Sequence, residues 1–337
     1  MPRCQVASGT ATVTQEDFSA SAAGKLVLVS TGDLTINGGS GAVTGISNAA
    51  GSGNVLLSVT GTLALNAALN AGSGNITLLS SGSQTYAAAG NVSTTGGTID
   101  VQATAATSTI AMHADTVFMT NGGNIRMMAG TVDGAGATVN AGGTITLGIL
   151  DARVTADRAS GLLTNQTVAT SWGSVSVAAT GGSILDNSSN TAVNVFAKEL
   201  RLSAAGTSKA VGASGDALET EVATVSANVG SGGLFLNEAT AIVVDQTAAL
   251  TVQRVGTDGS TLTATTDTAL SDFISAGHLV LVTQEGTITV NEGDAPTRYT
   301  FTEVALTVTP LVSVTNTPPL AALAVRLGPL ISAVLQW

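Results

Sequence analysis

The chain has 337 residues, of which 44% are hydrophobic, 3% aromatic and 10% charged, and its formal net charge is −11. The 11 basic residues form no cluster, so we expect neither nucleic-acid binding, which needs grouped cations, nor direct insertion into a membrane. Cys4 is the only cysteine, which excludes a disulfide framework and a Cys-based zinc site.

The N-terminal segment, residues 1–20, is predicted to be a lead-in or cap for the repeats that begin at residue 21. It contains no apolar run of signal-peptide length, and no stretch of the chain reaches the ~18 uncharged apolar residues of a membrane helix. We therefore expect that, if the protein is exported, this chain is an internal or truncated piece without its own signal peptide.

Residues 21–185 repeat a short cassette: a glycine, a small polar residue or lysine, and then an aliphatic strand. Its copies are Gly24-Lys25-Leu26, Gly32-Asp33-Leu34, Gly53-Asn54-Val55, Gly61-Thr62-Leu63, Gly74-Asn75-Ile76, Gly97-Thr98-Ile99, Gly123-Asn124-Ile125, Gly143-Thr144-Ile145, Gly173-Ser174-Val175 and Gly182-Ser183-Ile184. Taken once per unit from Gly53 through Gly143, the steps are about 21, 23, 26 and 20 residues, a period typical of repeat folds. The pattern predicts a parallel β-solenoid with one coil per step, about fifteen coils and, at ~4.8 Å per coil, a length on the order of 70 Å.

The strands alternate apolar with small or polar residues, so we expect one face inside and the other in solvent. An antiparallel sandwich also has short alternating strands. The period, the scarcity of aromatic residues and the similar residues at one point of each cassette favour the solenoid. Stacked coils would bring Asn54, Asn75 and Asn124 close to register as an amide ladder.

Charge divides the chain beyond residue 185. Residues 34–99 carry no charged side chain, whereas residues 186–303 hold 14 acids and 5 bases and show longer strands. We predict an acidic continuation of the solenoid over 186–303. The Pro-containing apolar tail, residues 304–337, is predicted to be a cap or a truncated end.

Two groups of residues are candidates for a catalytic site. His113 and His278 are separated by 165 residues, about seven coils, and are predicted to be structural. The segment Asp151–Arg158 is the only dense mixed-charge cluster of the first half. It would supply the acids Asp151 and Asp157 to a polysaccharide lyase or glycoside hydrolase, but the favoured interpretation is a polar loop with surface ion pairs.

Two further patterns are candidates for a binding site. The acidic residues of the second part suggest calcium, but their dispersion favours a solvated face; they are Asp258, Asp267, Asp272, Glu285, Glu292 and Asp294. The Thr-rich segment Thr261–Thr266 suggests an ice-binding array, but the variable step argues against the strict register that such an array needs. The sequence thus predicts no catalytic, cofactor-binding or metal-binding residue, and no cofactor.

Three segments resemble the coils of very large bacterial exoproteins. They are Asn194–Ala204, Leu218–Ala227 and Gly232–Leu236, and they are similar to the repeats of the filamentous-haemagglutinin and autotransporter-passenger class. The resemblance covers residues 21–295 and is motif-like over 183–240. It implies a right-handed β-helix, export through an outer-membrane partner by two-partner secretion, and roles in adhesion or biofilm. It supplies no catalytic residue.

These observations predict a non-enzymatic structural and adhesive rod, secreted or held at the bacterial cell surface. Such a rod would mediate adhesion, aggregation or biofilm contact through many weak contacts with glycans or proteins of host or neighbouring cells. Two alternatives remain open: a carbohydrate-active β-helix enzyme, and an inert spacer stalk.

Overall fold

The computed structural model describes residues 24–38, 45–47, 53–158, 171–187 and 192–291, together with the backbone of Ala159 and of short strands outside these ranges. Among these residues one short helix, α1 (Thr155–Ala159), interrupts an otherwise all-β fold. The strands are β1 (Arg3–Val6), β2 (Ala11–Val13), β3 (Phe18–Ser19), β4 (Leu26–Ser30), β5 (Leu34–Ile36), β6 (Gly45–Ser47), β7 (Val55–Val59), β8 (Leu63–Leu65), β9 (Ala68–Asn70), β10 (Ile76–Ser80), β11 (Gln84–Tyr86), β12 (Val92–Ser93), β13 (Ile99–Ala103), β14 (Ile110–Met112), β15 (Val117–Met119), β16 (Ile125–Val132), β17 (Thr138–Ala141), β18 (Ile145–Leu147), β19 (Ile149–Asp151), β20 (Val175–Ala179), β21 (Ile184–Asp186), β22 (Val195–Ala204), β23 (Ala210–Val211), β24 (Leu218–Val229), β25 (Gly233–Glu238), β26 (Ile242–Val244), β27 (Leu250–Val255), β28 (Leu262–Asp267), β29 (Phe273–Ser275), β30 (His278–Thr283), β31 (Thr287–Val290), β32 (Glu303–Leu306) and β33 (Leu311–Val312).

The strands wind into a parallel β-solenoid with three faces, which confirms the predicted fold class. Face A stacks β1, β4, β7, β10, β13, β16, β20, the second halves of β22 and β24, and β29. Face B stacks β2, β5, β8, β11, β14, β18, β21, β23, β25, β30 and β32. Face C stacks β3, β6, β9, β12, β15, β19 and the first halves of β22 and β24.

The coil lengths correct part of the predicted repeat. The steps 53 to 74, 74 to 97 and 97 to 123 each advance one coil, but Gly143 precedes a face-B strand of the same coil as Gly123. The next face-A strand after β16 is β20, because Ile125 is in register with Val175. In the part of the chain that the structure describes, face A therefore stacks ten strands over a length on the order of 45 Å, fewer than the fifteen coils predicted.

The interior consists of columns of aliphatic side chains, one residue from each coil. One face-A column is buried throughout and contains Leu26, Val55, Ile76, Ile99, Ile125, Val175, Leu200 and Val225. Each buried aliphatic side chain contributes about 1.5–3 kcal/mol, so the columns supply the main stabilisation of a fold with few aromatic residues.

Glycines stack at the corner before face A. A Cβ on Gly74 would lie 2.1 Å from the carbonyl oxygen of Gly53, and a Cβ on Gly97 would lie 2.2 Å from that of Gly74. Gly123 and Gly173 continue the column, each with its Cβ position 2.1 Å from the carbonyl oxygen of the preceding glycine. No other residue fits this spacing, which explains the glycine of the cassette.

The polar residue of the cassette forms a ladder along the rod. The backbone N–H of Asn75 donates to Asn54 Oδ1 at 3.0 Å, and that of Thr98 donates to Asn75 Oδ1 at 2.9 Å. In the same way Ser174 N–H donates to Asn124 Oδ1 at 2.9 Å. The predicted asparagine ladder is confirmed between Asn54 and Asn75, while Thr98 stands between Asn75 and Asn124.

Two coils, each of about fifty residues, contain inserted hairpins or a helix. The first carries the β16–β17 hairpin and, after β19, helix α1. The second carries an antiparallel hairpin of β27 and β28, whose base is closed by backbone hydrogen bonds between Thr247 and Leu270. We call residues 248–269 the strap, because they return along the outside of face A.

Candidate functional site

The outward residues of face A form a column that the strap buries. In register from the N-terminal end it contains Val27, Leu56, Thr77, Asp100, Arg126, Ser176 and Arg201. All are buried except Arg201, which is half-buried. The expectation that the outward residues of the strands face solvent is therefore wrong for this face, because the strap, a later segment of the chain, covers it.

The strap crosses the face-A strands from β22 back to β4. Its contacts, in that order, are Thr268 O with Arg201 Nε (2.9 Å), Asp267 Oδ2 with Ser176 Oγ (2.6 Å), Asp267 Oδ1 with Arg126 Nε (2.9 Å), Thr251 O with Asn124 Nδ2 (2.9 Å), Gln253 N with Thr98 Oγ1 (2.8 Å), Arg254 Nε with Asp100 Oδ2 (2.6 Å), Val255 N with Thr77 Oγ1 (2.9 Å), Gly259 O with Asn54 Nδ2 (3.0 Å), and Ser260 Oγ with Lys25 Nζ. Seven coils are thereby joined side by side, over a distance on the order of 30 Å.

A buried charge network holds the middle of the strap. Arg126 bonds Asp100 of the neighbouring coil at 3.0 Å and Asp267 of the strap at 2.9 Å. Arg254 of the strap bonds the second oxygen of Asp100 and donates to Gln102 Oε1 at 2.7 Å. Burial opposes the charge of Arg126, but Asp267 and Asp100 outweigh that effect and raise the pKa of the guanidinium. Arg126 and Arg254 occupy the two oxygens of Asp100, and Arg126 and the Ser176 hydroxyl occupy those of Asp267. The network is therefore a structural clamp and offers no free acid or base.

The strap makes an apolar contact where its β27 strand ends, next to the turn of the hairpin. Val255 packs against Val27 and Leu56, with Val29 at the edge of the cluster. The strap thus matches the column beneath it, with an apolar residue over the aliphatic coils and charged residues over Asp100 and Arg126. This complementarity fixes where along face A the hairpin lies.

A second buried ionic cluster surrounds Asp151 at the end of face C. Arg153 binds its two oxygens at 3.0 and 2.7 Å, and Arg158 Nε binds at 2.9 Å. Burial alone would raise the pKa of Asp151, but the hydrogen bonds and charges of Arg153 and Arg158 lower it below its usual value. Only 3% of the Asp151 side chain is exposed, so the prediction of surface ion pairs is wrong here.

Aromatic residues complete this cluster. The Arg153 guanidinium carbon lies 3.7 Å from the ring centre of Phe196 and 6.0 Å from that of Trp172. Trp172 Nε1 donates to Asp157 Oδ2 at 2.6 Å. Asp151 and Asp157, the two acids considered for a lyase or hydrolase, are therefore both engaged in structural contacts.

Three glutamates are buried in the acidic half. Glu238 points into the core, where Thr220 Oγ1 donates to it at 2.6 Å and Val222 N–H at 3.0 Å, and burial raises its pKa well above the usual range. Burial raises the pKa of Glu221 to about 7 against the opposing effects of Thr240 and Arg153. Burial, and then the nearby Asp186, raise the pKa of Glu219 to about 7 as well.

The remaining sequence candidates are dispersed. His113 and His278 are both exposed on face B, and the coils of β14 and β30 that carry them are five steps apart, fewer than predicted. Asp267 is buried and ion-paired, which corrects its placement on a solvated acidic face. Asp258 accepts three hydrogen bonds within the turn of the strap. Glu292 and Asp294 lie outside the described residues.

The Thr-rich segment forms the outer strand of the strap. Thr261 ends the turn, and Leu262–Asp267 is β28, a single strand. It therefore presents one row of threonines and not an array repeated over successive coils. Among the described residues, no group of three or more His, Cys, Asp or Glu side chains is placed to hold a metal ion.

Sequence reasoning missed the strap. The signal was present in the charges of Asp100 and Arg126 at outward positions of strands in an otherwise almost uncharged region, and in the second, compact charged segment around Arg254 and Asp267. Opposite charges that lie more than a hundred residues apart in the sequence cannot be assigned to each other as ion pairs unless the coil register is known.

The fold and these clusters define a parallel β-solenoid braced along one face. Comparisons of the chain with protein-family models, with curated proteins and with solved structures give no match. Within the described part of the chain, no helix has the length and apolar character needed to cross a membrane.

Proposed function

We propose that the protein is a structural and adhesive rod of a secreted or cell-surface bacterial exoprotein of the filamentous-haemagglutinin type. The rod presents repeated weak contacts to glycans or proteins of neighbouring or host cells. Multivalent binding of this kind gains strength from the number of contacts and needs no single deep pocket.

The observation that carries this proposal is the outward column of face B, which the strap does not cover. Along successive coils it contains the uncharged residues Thr35, Ala64, Thr85, Ala111 and Thr146, all exposed or half-buried. A regular column of hydroxyl and methyl groups at ~4.8 Å spacing suits repeated hydrogen bonding to a polymeric partner.

The Asp151 cluster gives no support to the carbohydrate-active enzyme. A glycosidase needs a carboxyl group with a raised pKa as its general acid, facing a second free carboxylate. Asp151 has a lowered pKa and two arginine partners, and Asp157 accepts the Trp172 hydrogen bond. We therefore propose a non-catalytic role for this cluster.

The proposal is tested with immobilised full chain, probed against glycan arrays and bacterial or host cells. Thr85→Lys combined with Thr146→Lys on face B is expected to weaken binding at least tenfold, whereas Thr138→Lys on the exposed β17 is the matched control. Because the column is uncharged, raising the salt from 50 to 500 mM is expected to change binding less than threefold. Absence of binding to any surface would favour the inert spacer, and equal loss in the control would remove face B from the proposal.

A further inference from the structure

The outer edge of the strap is an unpaired β-strand with a defined hydrogen-bonding pattern. β27 is the inner strand: Gln253 and Val255 donate their backbone N–H groups to Thr98 and Thr77, and Asn124 donates to the carbonyl of Thr251. The backbone N–H and C=O groups of Thr251, Gln253 and Val255 therefore point toward the solenoid, away from β28.

The register of the hairpin then determines where the groups of β28 point. Thr251, Gln253 and Val255 are opposite Thr266, Ala264 and Leu262, respectively. In an antiparallel pair, residues opposite each other direct their N–H and C=O groups either toward each other or both outward. The N–H and C=O groups of Leu262, Ala264 and Thr266 are therefore directed to the outer edge, and no described residue bonds them there.

This edge lacks the features by which proteins block strand pairing. Leu262–Thr266 contains no charge, proline or bulge, it is rich in threonine, and Leu262 is one of two exposed large hydrophobic residues in the described part of the chain. The exposed β17 is a poorer edge, because Thr180 Oγ1 already donates to its Asn140 carbonyl at 2.8 Å.

We propose that β28 pairs antiparallel with β28 of a second copy of this chain. Three outward residues centred on Ala264 make the edge self-complementary: Leu262 pairs with Thr266 of the second copy, and Ala264 pairs with its own counterpart on a two-fold axis. Each of these pairs exchanges two hydrogen bonds, so the two hairpins join into a four-stranded sheet. The proposal does not depend on the adhesive function proposed above, and binding to cells and pairing between copies are measured separately.

The charges of the chain set the conditions for pairing. The two edges are uncharged, but each copy has a formal net charge of −11, so the two rods repel each other at a distance. Salt screens this repulsion, and pairing is expected to strengthen as salt rises from 20 to 300 mM. A short edge buries little surface, which places the pairing among weak, concentration-dependent interactions.

Sedimentation velocity of the full chain over a concentration series tests the pairing. We expect a monomer–dimer equilibrium whose dissociation constant rises at least tenfold in Ala264→Lys. Val139→Lys, at the other exposed large hydrophobic residue, is the matched control and should leave the equilibrium within twofold. A monomer at every concentration, or a dimer that Ala264→Lys leaves intact, overturns the proposal.

Disulfide trapping provides a second measurement that does not depend on affinity. Paired Ala264 residues would have Cα atoms about 5.5 Å apart, within the range that a disulfide spans. In a Cys4→Ser background, Ala264→Cys is expected to form a covalent dimer on mild oxidation, and Val139→Cys is not. Equal cross-linking of both variants would indicate random collision and would also overturn the proposal.

Discussion

Arg126 joins three segments of the chain that lie far apart in sequence. Its guanidinium contacts Asp100 of the preceding coil and Asp267 of the strap, and its side chain is only 4% exposed. The two buried carboxylates are tolerated because each of their oxygens has a partner: an arginine on both oxygens of Asp100, and Arg126 and the Ser176 hydroxyl on those of Asp267. Removal of one partner from a buried network leaves the others without compensation.

Arg126→Ala is therefore expected to lower the free energy of unfolding by about 3–5 kcal/mol, since Asp100 and Asp267 would stay buried with less compensation. Chemical denaturation followed by circular dichroism measures this change. Lys198→Ala is the control, because Lys198 forms a partly exposed pair with Glu199, and its loss should change the stability by about 1 kcal/mol or less. Equal effects of the two substitutions would contradict the assignment of Arg126 as a clamp.

The glycine column makes a different prediction at the residue scale. Gly97→Ala would place a Cβ 2.2 Å from the carbonyl oxygen of Gly74, so the two coils would have to separate locally. We expect a loss of about 1–3 kcal/mol, the range for overpacked sites. Gly134→Ala is the matched control, because a Cβ there meets nothing within 4 Å. An unchanged midpoint of urea denaturation in Gly97→Ala would refute the close-contact explanation.

At the scale of the element, the strap is an insertion that stabilises coils to which it is not adjacent in sequence. Thr247 and Leu270 already pair at its base, so an Asn-Gly turn can replace residues 248–269 without disturbing the coil. The shortened coil would have a length close to that of its neighbours.

This replacement is expected to expose Val27 and Leu56 and to leave Arg126 paired with Asp100 alone. We predict increased binding of a hydrophobic dye, a lower melting temperature, and faster amide exchange in the face-A strands β4 to β16. The far-ultraviolet signal of the β-sheet should remain, because the inward columns are unchanged. Unaltered exchange in β4 and β7 would show that the strap does not protect the coils it crosses.

The elements of the solenoid were predictable to different degrees. The cassette identified the starts of face-A and face-B strands, because glycine and the following polar residue are required at the corners between coils. The spacing between the cassettes at Gly123 and Gly143 predicts that each begins its own coil. In the structure they lie at two corners of one coil, because both corners need a glycine followed by a polar residue. The strap was not predictable, because its alternating strands resemble those of any coil and only the antiparallel pairing distinguishes them.

The candidate sites were likewise predictable only in part. The coil on which an acid or a histidine lies can be assigned only when the coil boundaries are known, and its burial depends on which segment covers it. Asp151 was expected at the surface because four charged residues lie within eight positions, a composition typical of exposed loops. In the structure Phe196, from the next coil, and Trp172 enclose the cluster and make it part of the interior.

At the scale of the whole molecule, the distribution of charge separates a neutral end of the rod from an acidic end that responds to pH. The acidic coils contain Glu219, Glu221 and Glu238, whose pKa values burial raises above the ordinary value of 4.5. In the unfolded chain these groups lose their protons near pH 4.5, whereas in the folded chain Glu219 and Glu221 retain them to about pH 7. Folding therefore takes up protons between these values, and stability decreases as pH rises.

The chain is thus expected to be more stable at pH 5 than at pH 8. The stability from Glu219 and Glu221 is fully present below about pH 4.5 and is lost as pH rises through about 7, with a slope of up to about 1.4 kcal/mol per pH unit for each group. Thermal unfolding in a series of buffers at fixed ionic strength measures the slope. Glu221→Gln combined with Glu238→Gln should flatten it and raise the melting temperature at pH 8, because a neutral amide replaces each buried acid. Glu285→Gln, at an exposed glutamate, is the control and should leave the slope unchanged; a profile that rises from pH 5 to pH 8 in the unmodified chain would mean that other groups dominate its titration.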